Sequence, residues 1–210
     1  MNILIIGATG GTGRQLVSQA IDRGYFVTAF VRNTDRLKFK DKNLKIVEGN
    51  VLDINSLIEA SKNQDAVLCA LGHKRWFYPN NVLSTGTGNI ITAMQANGVK
   101  RLICETSLGL GNSFGKMGIY YTFFVIPFIL PLYFWDKRKQ ESIIRNCNLD
   151  WTIVRPGALN NKKARGIYKE GPGIGNYFIT VRISRADVAN FMLNQIDNKK
   201  YYHSTPGLSW

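Results

Sequence analysis

The first thirteen residues constrain the fold more than any other part of the chain. Asn2–Ile6 is a short apolar run typical of a buried strand, and the glycine-rich stretch 7–13 follows it directly. A helical pattern then runs from Arg14 to about Arg23. A strand, a glycine turn and a helix N-terminus in this order present backbone N–H groups and the positive end of the helix dipole to a pyrophosphate. The sequence therefore predicts a dinucleotide site whose cofactor-binding residues include Gly7, Thr9, Gly10, Gly11, Thr12 and Gly13.

Strand and helix patterns alternate along the rest of the chain. Strands are predicted at 26–31, 44–48, 66–71, 101–105 and 151–154, and helices at 53–61 and 82–97. This alternation specifies an α/β fold, a Rossmann-like, doubly wound parallel sheet with helices on both faces. We predict a single NAD(P)-binding domain over 1–210, with an apolar insertion at about 114–135 and a small C-terminal substrate lobe at about 158–183 and 200–210.

Cysteine and histidine usage indicates the compartment and argues against a metal site. The three cysteines, Cys69, Cys104 and Cys147, lie far apart and form no C-x-x-C pair, which favours buried thiols in a reducing compartment. The two histidines have no metal-ligand neighbour at useful spacing, so we assign no metal. No signal peptide precedes the first strand, and we expect a cytoplasmic protein.

The formal net charge of +13 has two explanations. Basic residues cluster at 38–45, 74–75, 137–139, 162–165 and 199–200, and such clusters can contact nucleic-acid phosphates. They are scattered among folded elements without a recognition motif, however, and a site for a phosphorylated dinucleotide also favours positive potential. We therefore expect no nucleic-acid partner.

Arg32 follows the second predicted strand and indicates which dinucleotide binds. Enzymes that use NAD usually carry Asp or Glu near this place, where the carboxylate accepts a hydrogen bond from the ribose 2′-OH. A guanidinium here can instead bind a 2′-phosphate through two hydrogen bonds in a bidentate arrangement, and Arg36 and Arg14 are candidates to assist it. The cofactor is predicted to be NADP(H).

Several stretches together resemble the atypical short-chain dehydrogenase/reductases of the NmrA-like, NAD(P)H-binding group, with biliverdin-IXβ reductase/flavin reductase as a more distant relative. They cover nearly the whole chain in order: 7–13, 30–32, 49–52, 70–72, 106–109, 137–141, 149–157 and 183–189. The resemblance implies that Asn50 and Val51 face the adenine and that Leu71 and Gly72 lie along the cofactor ribose. It also implies that Ser107, Pro156, Gly157 and Ala158 lie near the nicotinamide.

The resemblance further implies a catalytic triad. Tyr133 and Lys137 fit the Y-x-x-x-K pattern, in which the tyrosine gives a proton to the substrate oxygen. The lysine, one helical turn away on the same face, stabilises the phenolate and holds the ribose, and Ser107 would orient the carbonyl. Pro131 can begin this helix. In the alternative interpretation, Tyr133 belongs to an aromatic-rich apolar segment and has no catalytic role.

The apolar segment 117–135 approaches the length of a membrane span. Two prolines four residues apart, and a position between a strand and a helix of one sheet, argue against spanning. Three functions stay open: a lid over the substrate, which we place first, an oligomer interface, and contact with a lipid surface assisted by residues 137–139. The oligomeric state itself stays open.

These observations predict an NADPH-dependent oxidoreductase that transfers hydride to an apolar carbonyl compound or a flavin- or quinone-like acceptor. An apolar, aromatic wall suits a small apolar or aromatic substrate. Two alternatives remain, a non-catalytic NADP(H)-sensing regulatory protein of the NmrA type and an epimerase-like member.

Ser184 and Asp187 form a helix-capping pattern, which we interpret as structural.

Overall fold

The fold is known from a computed structural model that describes residues 1–73, 78 and 80–210. In its first half, strands and helices alternate: β1 (Asn2–Ile6), α1 (Gly11–Asp22), β2 (Phe26–Val31), β3 (Leu44–Glu48), α2 (Ile54–Ser61), β4 (Ala66–Cys69) and α3 (Val82–Ala96). The second half contains β5 (Arg101–Glu105), a π-helix (Tyr121–Ile129), α4 (Pro131–Arg145), β6 (Asp150–Pro156), β7 (Ala158–Asn160), β8 (Lys169–Gly171), β9 (Arg182–Ser184), α5 (Arg185–Asn194) and β10 (Gly207–Ser209). The basic pair 74–75 lies outside the described residues.

The central sheet has eight strands in the order β3-β2-β1-β4-β5-β6-β10-β8. All neighbouring pairs are parallel except β10 and β8. The strand order reverses between β1 and β4, because the chain first winds outward through β2 and β3 and then returns to the other side of β1. The α/β doubly wound class is thereby confirmed, and the carboxyl ends of β1 and β4 flank the crevice where such sheets bind ligands.

Alternating side chains of β1 divide the core into two layers. Ile3 and Ile5 pack on one face with residues of α1 and α5, whereas Leu4 and Ile6 pack on the other with residues of α2, α3 and α4. All four side chains are completely buried. Successive residues of a strand point to opposite faces, so a run of apolar residues is what a strand covered on both sides requires.

Some element boundaries differ from the predicted ones. Helix α1 begins at Gly11 rather than Arg14, because its first turn is made by the glycine stretch, whose low helix propensity hides it in the sequence. Strand β4 ends at Cys69 rather than Leu71, and β6 extends over Asp150–Pro156. Pro131 is the first residue of α4, as predicted.

The C-terminal third adds strands at two places. Strands β7 and β9 form a separate parallel pair, whereas β8 and β10 extend the central sheet beyond β6. We expected residues 201–210 to pack back on the small lobe, and β10 pairs with β8 of that lobe while it also lies beside β6 in the central sheet. The capping pattern at α5 is confirmed, because the Ser184 side chain accepts a hydrogen bond from the Asp187 backbone N–H at 3.0 Å.

Three chemical features of the described residues bear on function. Cys69 and Cys104 are buried free thiols. Among the residues that the structure describes, no cluster of histidine, cysteine or carboxylate side chains could hold a metal ion. In the same part of the chain, every helix is too short or too polar to cross a bilayer.

Candidate functional site

The glycine loop between β1 and α1 is packed so closely that a side chain is excluded at Gly7 and at Gly13. Gly7 has a φ of +81°, and a Cβ atom there would lie 2.5 Å from the Ala70 carbonyl oxygen at the end of β4. Gly10 donates its N–H to the Gly7 carbonyl at 2.9 Å, and a Cβ on Gly13 would overlap with that same carbonyl. The absent side chains leave a cradle at the N-terminus of α1, and its shape and dipole fit a dinucleotide pyrophosphate.

The other loop residues hold this cradle in place. Thr12 is buried, and its hydroxyl donates to the Glu105 carboxylate at 3.1 Å, which ties α1 to the end of β5. Arg14 donates through Nε to the Thr9 carbonyl at 3.2 Å and through a second nitrogen to the Arg36 carbonyl. The Arg14 side chain, which we considered for the 2′-phosphate, therefore links the glycine loop to the turn after β2.

Arg185 lies over the glycine loop, a position that sequence reasoning missed. A Cβ atom built on Gly11 would lie 2.5 Å from the Arg185 Nε atom. The same guanidinium donates to the Asn161 side-chain oxygen at 2.8 Å. The capping motif around Ser184 gave no sign of this role, because only the packing of α5 against α1 carries Arg185 to the loop. Its positive charge lies where a pyrophosphate would need one.

The residues predicted to contact the adenosine half lie at the ends of β2, β3 and β4. Arg32 is exposed directly after β2, and it forms no ion pair with any residue that the structure describes. Asn50 is exposed, and its side-chain oxygen accepts the Leu52 N–H at 3.1 Å. Val51 and Leu71 meet against the same position of α3, because a Cβ on Gly86 would lie 2.8 Å from Val51 Cγ2 and 3.4 Å from Leu71 Cδ2.

Tyr133 and Lys137 lie one turn apart on α4 and project toward the ends of β4 and β5. The Lys137 ammonium nitrogen lies 5.3 Å from the centre of the Tyr133 ring. It also donates to the carbonyl of Glu105, the last residue of β5, at 3.3 Å. The Tyr133 hydroxyl lies 3.7 Å from the place where a Cβ on Gly72 would be, and the ring packs edge-on against His73. The structure therefore brings Tyr133, Lys137 and Gly72 together.

Burial and neighbouring charges have opposite effects on the titrating groups around Lys137. Burial raises the pKa of the Glu105 carboxyl above its usual value, although Lys137, the Thr12 hydroxyl and Arg185 act in the opposite direction. Burial also disfavours the Lys137 ammonium, but attraction from Tyr133, Cys104 and Glu105 outweighs it and raises the pKa of Lys137. Lys137 therefore carries a fixed positive charge at neutral pH, and that charge can stabilise a phenolate on Tyr133 or bind a ribose hydroxyl.

The remaining predicted residues follow β5 and β6. Ser107 comes two residues after β5, and its hydroxyl donates to the neighbouring Leu108 carbonyl at 2.9 Å. Pro156 is the last residue of β6, and Gly157 packs closely on the segment before β9, where a Cβ would lie 2.7 Å from the Val181 carbonyl oxygen. Ala158 then begins β7. All of these residues lie at the carboxyl edge of the sheet.

Two buried polar contacts fix α4 in place. Asp136 is completely buried and accepts the backbone N–H groups of Leu83 and Ser84 at 2.9 and 3.1 Å, so it caps the first turn of α3 from outside. Glu141 accepts two hydrogen bonds from the buried Arg155 guanidinium, at 2.9 and 2.6 Å. These contacts determine where Tyr133 and Lys137 lie, and the sequence pattern contained no signal for either.

Comparison with known proteins identifies the family. The profile of the NAD(P)H-binding family matches residues 7–199. A chloroplast protein of Arabidopsis thaliana, itself uncharacterised, is 32% identical over 172 residues, which cover 78% of this chain and 61% of the relative. The chain thus spans less than two thirds of that relative's length.

Two solved structures show the same fold. A short-chain dehydrogenase/reductase from Veillonella parvula, solved with NADP, has a TM-score of 0.84 at 19% identity and covers 100% of this chain and 94% of its own. A Bacillus halodurans protein named as an NAD-dependent epimerase/dehydratase has a TM-score of 0.82 at 26% identity, with coverage of 100% and 94%. The predicted Rossmann-like fold and the NAD(P)H-binding family are confirmed. The chain belongs to the NAD(P)H-binding family.

Proposed function

We propose that this protein is an NADPH-dependent reductase of the short-chain type, related to the NmrA-like group. The proposed acceptor is a small apolar carbonyl compound or a flavin- or quinone-like ring. When bound, the dinucleotide supplies the hydride. The chain supplies the site, the charge that orients the reactants and, for a carbonyl substrate, the proton.

The observation that carries this proposal is the arrangement of Tyr133 and Lys137 at the carboxyl edge of the sheet. The Tyr133 hydroxyl lies beside Gly72, which follows β4, and the buried Lys137 ammonium is 5.3 Å from the centre of the Tyr133 ring. A carbonyl carbon that accepts hydride needs a proton on its oxygen, and Tyr133 would donate it. The positive charge of Lys137 would stabilise the phenolate left behind until solvent returns the proton.

Two arginines support binding of a phosphorylated dinucleotide. Arg32 is exposed beyond β2 and free of ion pairs with the described residues, which suits it to a 2′-phosphate. Arg185, on the far side of the glycine loop, is suited to the pyrophosphate. We therefore propose NADPH rather than NADH as the preferred cofactor, with Arg32 as the residue that discriminates.

The test is NADPH oxidation with a panel of quinones, flavins and apolar aldehydes. With a carbonyl substrate, Tyr133→Phe should lower kcat/KM by about a hundredfold, while the Kd for NADPH stays within about threefold. Phenylalanine keeps the ring contacts with His73 and Phe134, so the variant isolates the hydroxyl. Full carbonyl reduction by Tyr133→Phe would exclude the proton-donor role. Absence of turnover with every acceptor would refute the reductase.

A specific observation also favours the non-catalytic alternative. The Ser107 hydroxyl donates to the Leu108 carbonyl, so it must turn before it can orient a substrate carbonyl. A regulatory protein that senses NADP(H) would tolerate that arrangement. Tight NADPH binding without turnover, combined with a partner interaction that differs between NADPH and NADP⁺, would support the sensor. The epimerase-like alternative predicts release of no oxidised cofactor.

A further inference from the structure

Two segments near the carboxyl edge of the sheet expose an unusual amount of aromatic surface. Within 119–129, Phe123 and Phe128 are 61% and 74% exposed, and Tyr120 and Phe124 are exposed beside them. Within 177–179, Phe178 is 76% exposed. Single exposed apolar residues are common on folded proteins, but a cluster of this kind marks an interaction surface. We call the exposed side chains of 119–129 and 177–179 the aromatic patch.

The two segments form one surface. The Ile119 N–H donates to the Phe178 carbonyl at 3.4 Å, and Met117 forms a β-bridge with Asn176. A Cβ atom built on Gly118 would lie 2.5 Å from the backbone of Ile179, so the backbones of the two segments are in direct contact. The aromatic patch is therefore continuous across residues far apart in the sequence.

The aromatic side chains are held outward by packing on the opposite side of the π-helix. Thr122 and Val125 are buried, and the Ile126 side chain packs against the loop after β5, where a Cβ on Gly109 would lie 3.2 Å from its Cδ1. Tyr120 and Phe124 stack on each other on the outer side, with ring centres 6.1 Å apart. The inner face of the π-helix is packed against the protein, whereas its outer face is exposed and is not covered by any of the described residues.

Acidic residues are absent from both segments of the aromatic patch, and basic residues follow the first segment on α4; we call Arg138 and Lys139 the basic border. The chain contains no Asp or Glu over 106–135 or 171–186. Arg138 and Lys139 follow on the exposed side of α4, and the Lys139 ammonium lies 3.4 Å from the centre of the exposed Trp135 ring. Arg138 and the exposed Phe114 line one surface groove, whose carboxylate, Glu141, is already paired with the buried Arg155.

We propose that the aromatic patch docks the protein on an anionic lipid surface. Aromatic side chains favour the boundary between headgroups and acyl chains, and neighbouring Lys and Arg are attracted to anionic headgroups. The helical backbone of the segment keeps its hydrogen bonds internal, which permits shallow burial in lipid. A second copy of the chain fits less well, because face-to-face contact would bring two basic borders together.

Sedimentation with vesicles tests this proposal. The probe is phosphatidylcholine vesicles containing about one quarter phosphatidylglycerol, compared with pure phosphatidylcholine. We expect binding to the anionic vesicles that weakens by about tenfold or more in the triple variant Phe123→Ser, Phe124→Ser and Phe128→Ser. The matched control is Phe26→Ser, because Phe26 is 55% exposed at the opposite, amino-terminal end of β2 and should leave binding unchanged.

A second pair of variants tests the basic border. Arg138→Glu with Lys139→Glu should abolish the preference for anionic vesicles, and high salt should do the same to the wild type. NADPH affinity serves as the folding control for every variant. Failure of the wild type to sediment with anionic vesicles would overturn the proposal, and so would concentration-dependent dimerisation that the triple serine variant abolishes. Neither outcome depends on whether the protein is a reductase.

Discussion

Reversal of charge at Arg32 is the sharpest test of cofactor preference. Arg32 lies directly after β2, is exposed, and forms no ion pair with the described residues. Replacement by glutamate therefore breaks no structural contact, and the free energy of unfolding should change by less than about 0.5 kcal/mol. The change places a carboxylate where the 2′-phosphate of NADPH would lie.

The expected magnitude follows from the chemistry of the lost contact. A hydrogen bond between charged groups contributes about 1.5–3 kcal/mol, and an exposed arginine stays toward the lower part of that range. Repulsion between the new carboxylate and the phosphate adds to this loss of binding free energy. We expect the Kd of NADPH to rise by about 10- to 150-fold, and the Kd of NADH, which lacks the phosphate, to change by less than about threefold.

Calorimetric titration of both cofactors measures this difference directly. Arg23→Glu is the matched control, because Arg23 follows the last residue of α1, about 18 Å along the helix from the glycine loop. It makes the same change in net charge, so any effect of overall potential appears in both variants. Equal affinity of the wild type for NADPH and NADH would refute the assignment, as would equal losses in the two variants.

Three further predictions concern Arg185, Asp187 and Lys137, whose tertiary contacts the structure shows. Arg185→Ala should weaken NADPH and NADH alike by about tenfold in calorimetry, since the pyrophosphate is common to both, and a selective effect on NADPH would contradict that role. Asp187→Asn should lower the free energy of unfolding by about 2–4 kcal/mol near neutral pH in urea titrations. Burial raises the pKa of Asp187, but the hydrogen bonds that its carboxylate accepts outweigh this effect and lower the pKa below its usual 3.8. The difference in stability between the wild type and Asp187→Asn should therefore shrink as the pH falls from 3.8 through the folded-state pKa. A difference that is independent of pH would contradict the assignment. Lys137→Met should lower the free energy of unfolding and weaken the binding of both cofactors, because it leaves the buried Glu105 carboxylate without its positive neighbour. Adding Glu105→Gln removes that carboxylate and should recover part of the stability.

Much of the nucleotide-binding half could be predicted because its determinants are local. The glycine loop lies between a strand and a helix that are adjacent in the chain, and its geometry depends on side chains that are absent from it. Strands β2, β3 and β5 begin and end where the apolar periodicity placed them. Arg32 could be identified as the candidate for binding the 2′-phosphate because its position depends only on where one strand, β2, ends.

The catalytic residues were only partly accessible in the same way. Helical spacing predicts that Tyr133 and Lys137 share a face, and they do lie together on α4. What surrounds them could not be read from the sequence, because the Glu105 carbonyl that holds Lys137 belongs to a strand on the other side of a long connection. Whether Tyr133 is a proton donor stays a prediction.

The sequence by itself determined the order of strands and helices, the glycine cradle and the charge at the end of β2. These features depend on the backbone preferences and polarity of neighbouring residues. Only the tertiary structure decided that Arg185 reaches the glycine loop, that Asp136 caps α3, and that the apolar segment turns its aromatic side chains outward. An apolar run has the same composition whether it faces a core, a partner or a membrane, and the difference is made by the elements of distant sequence that pack against its other side.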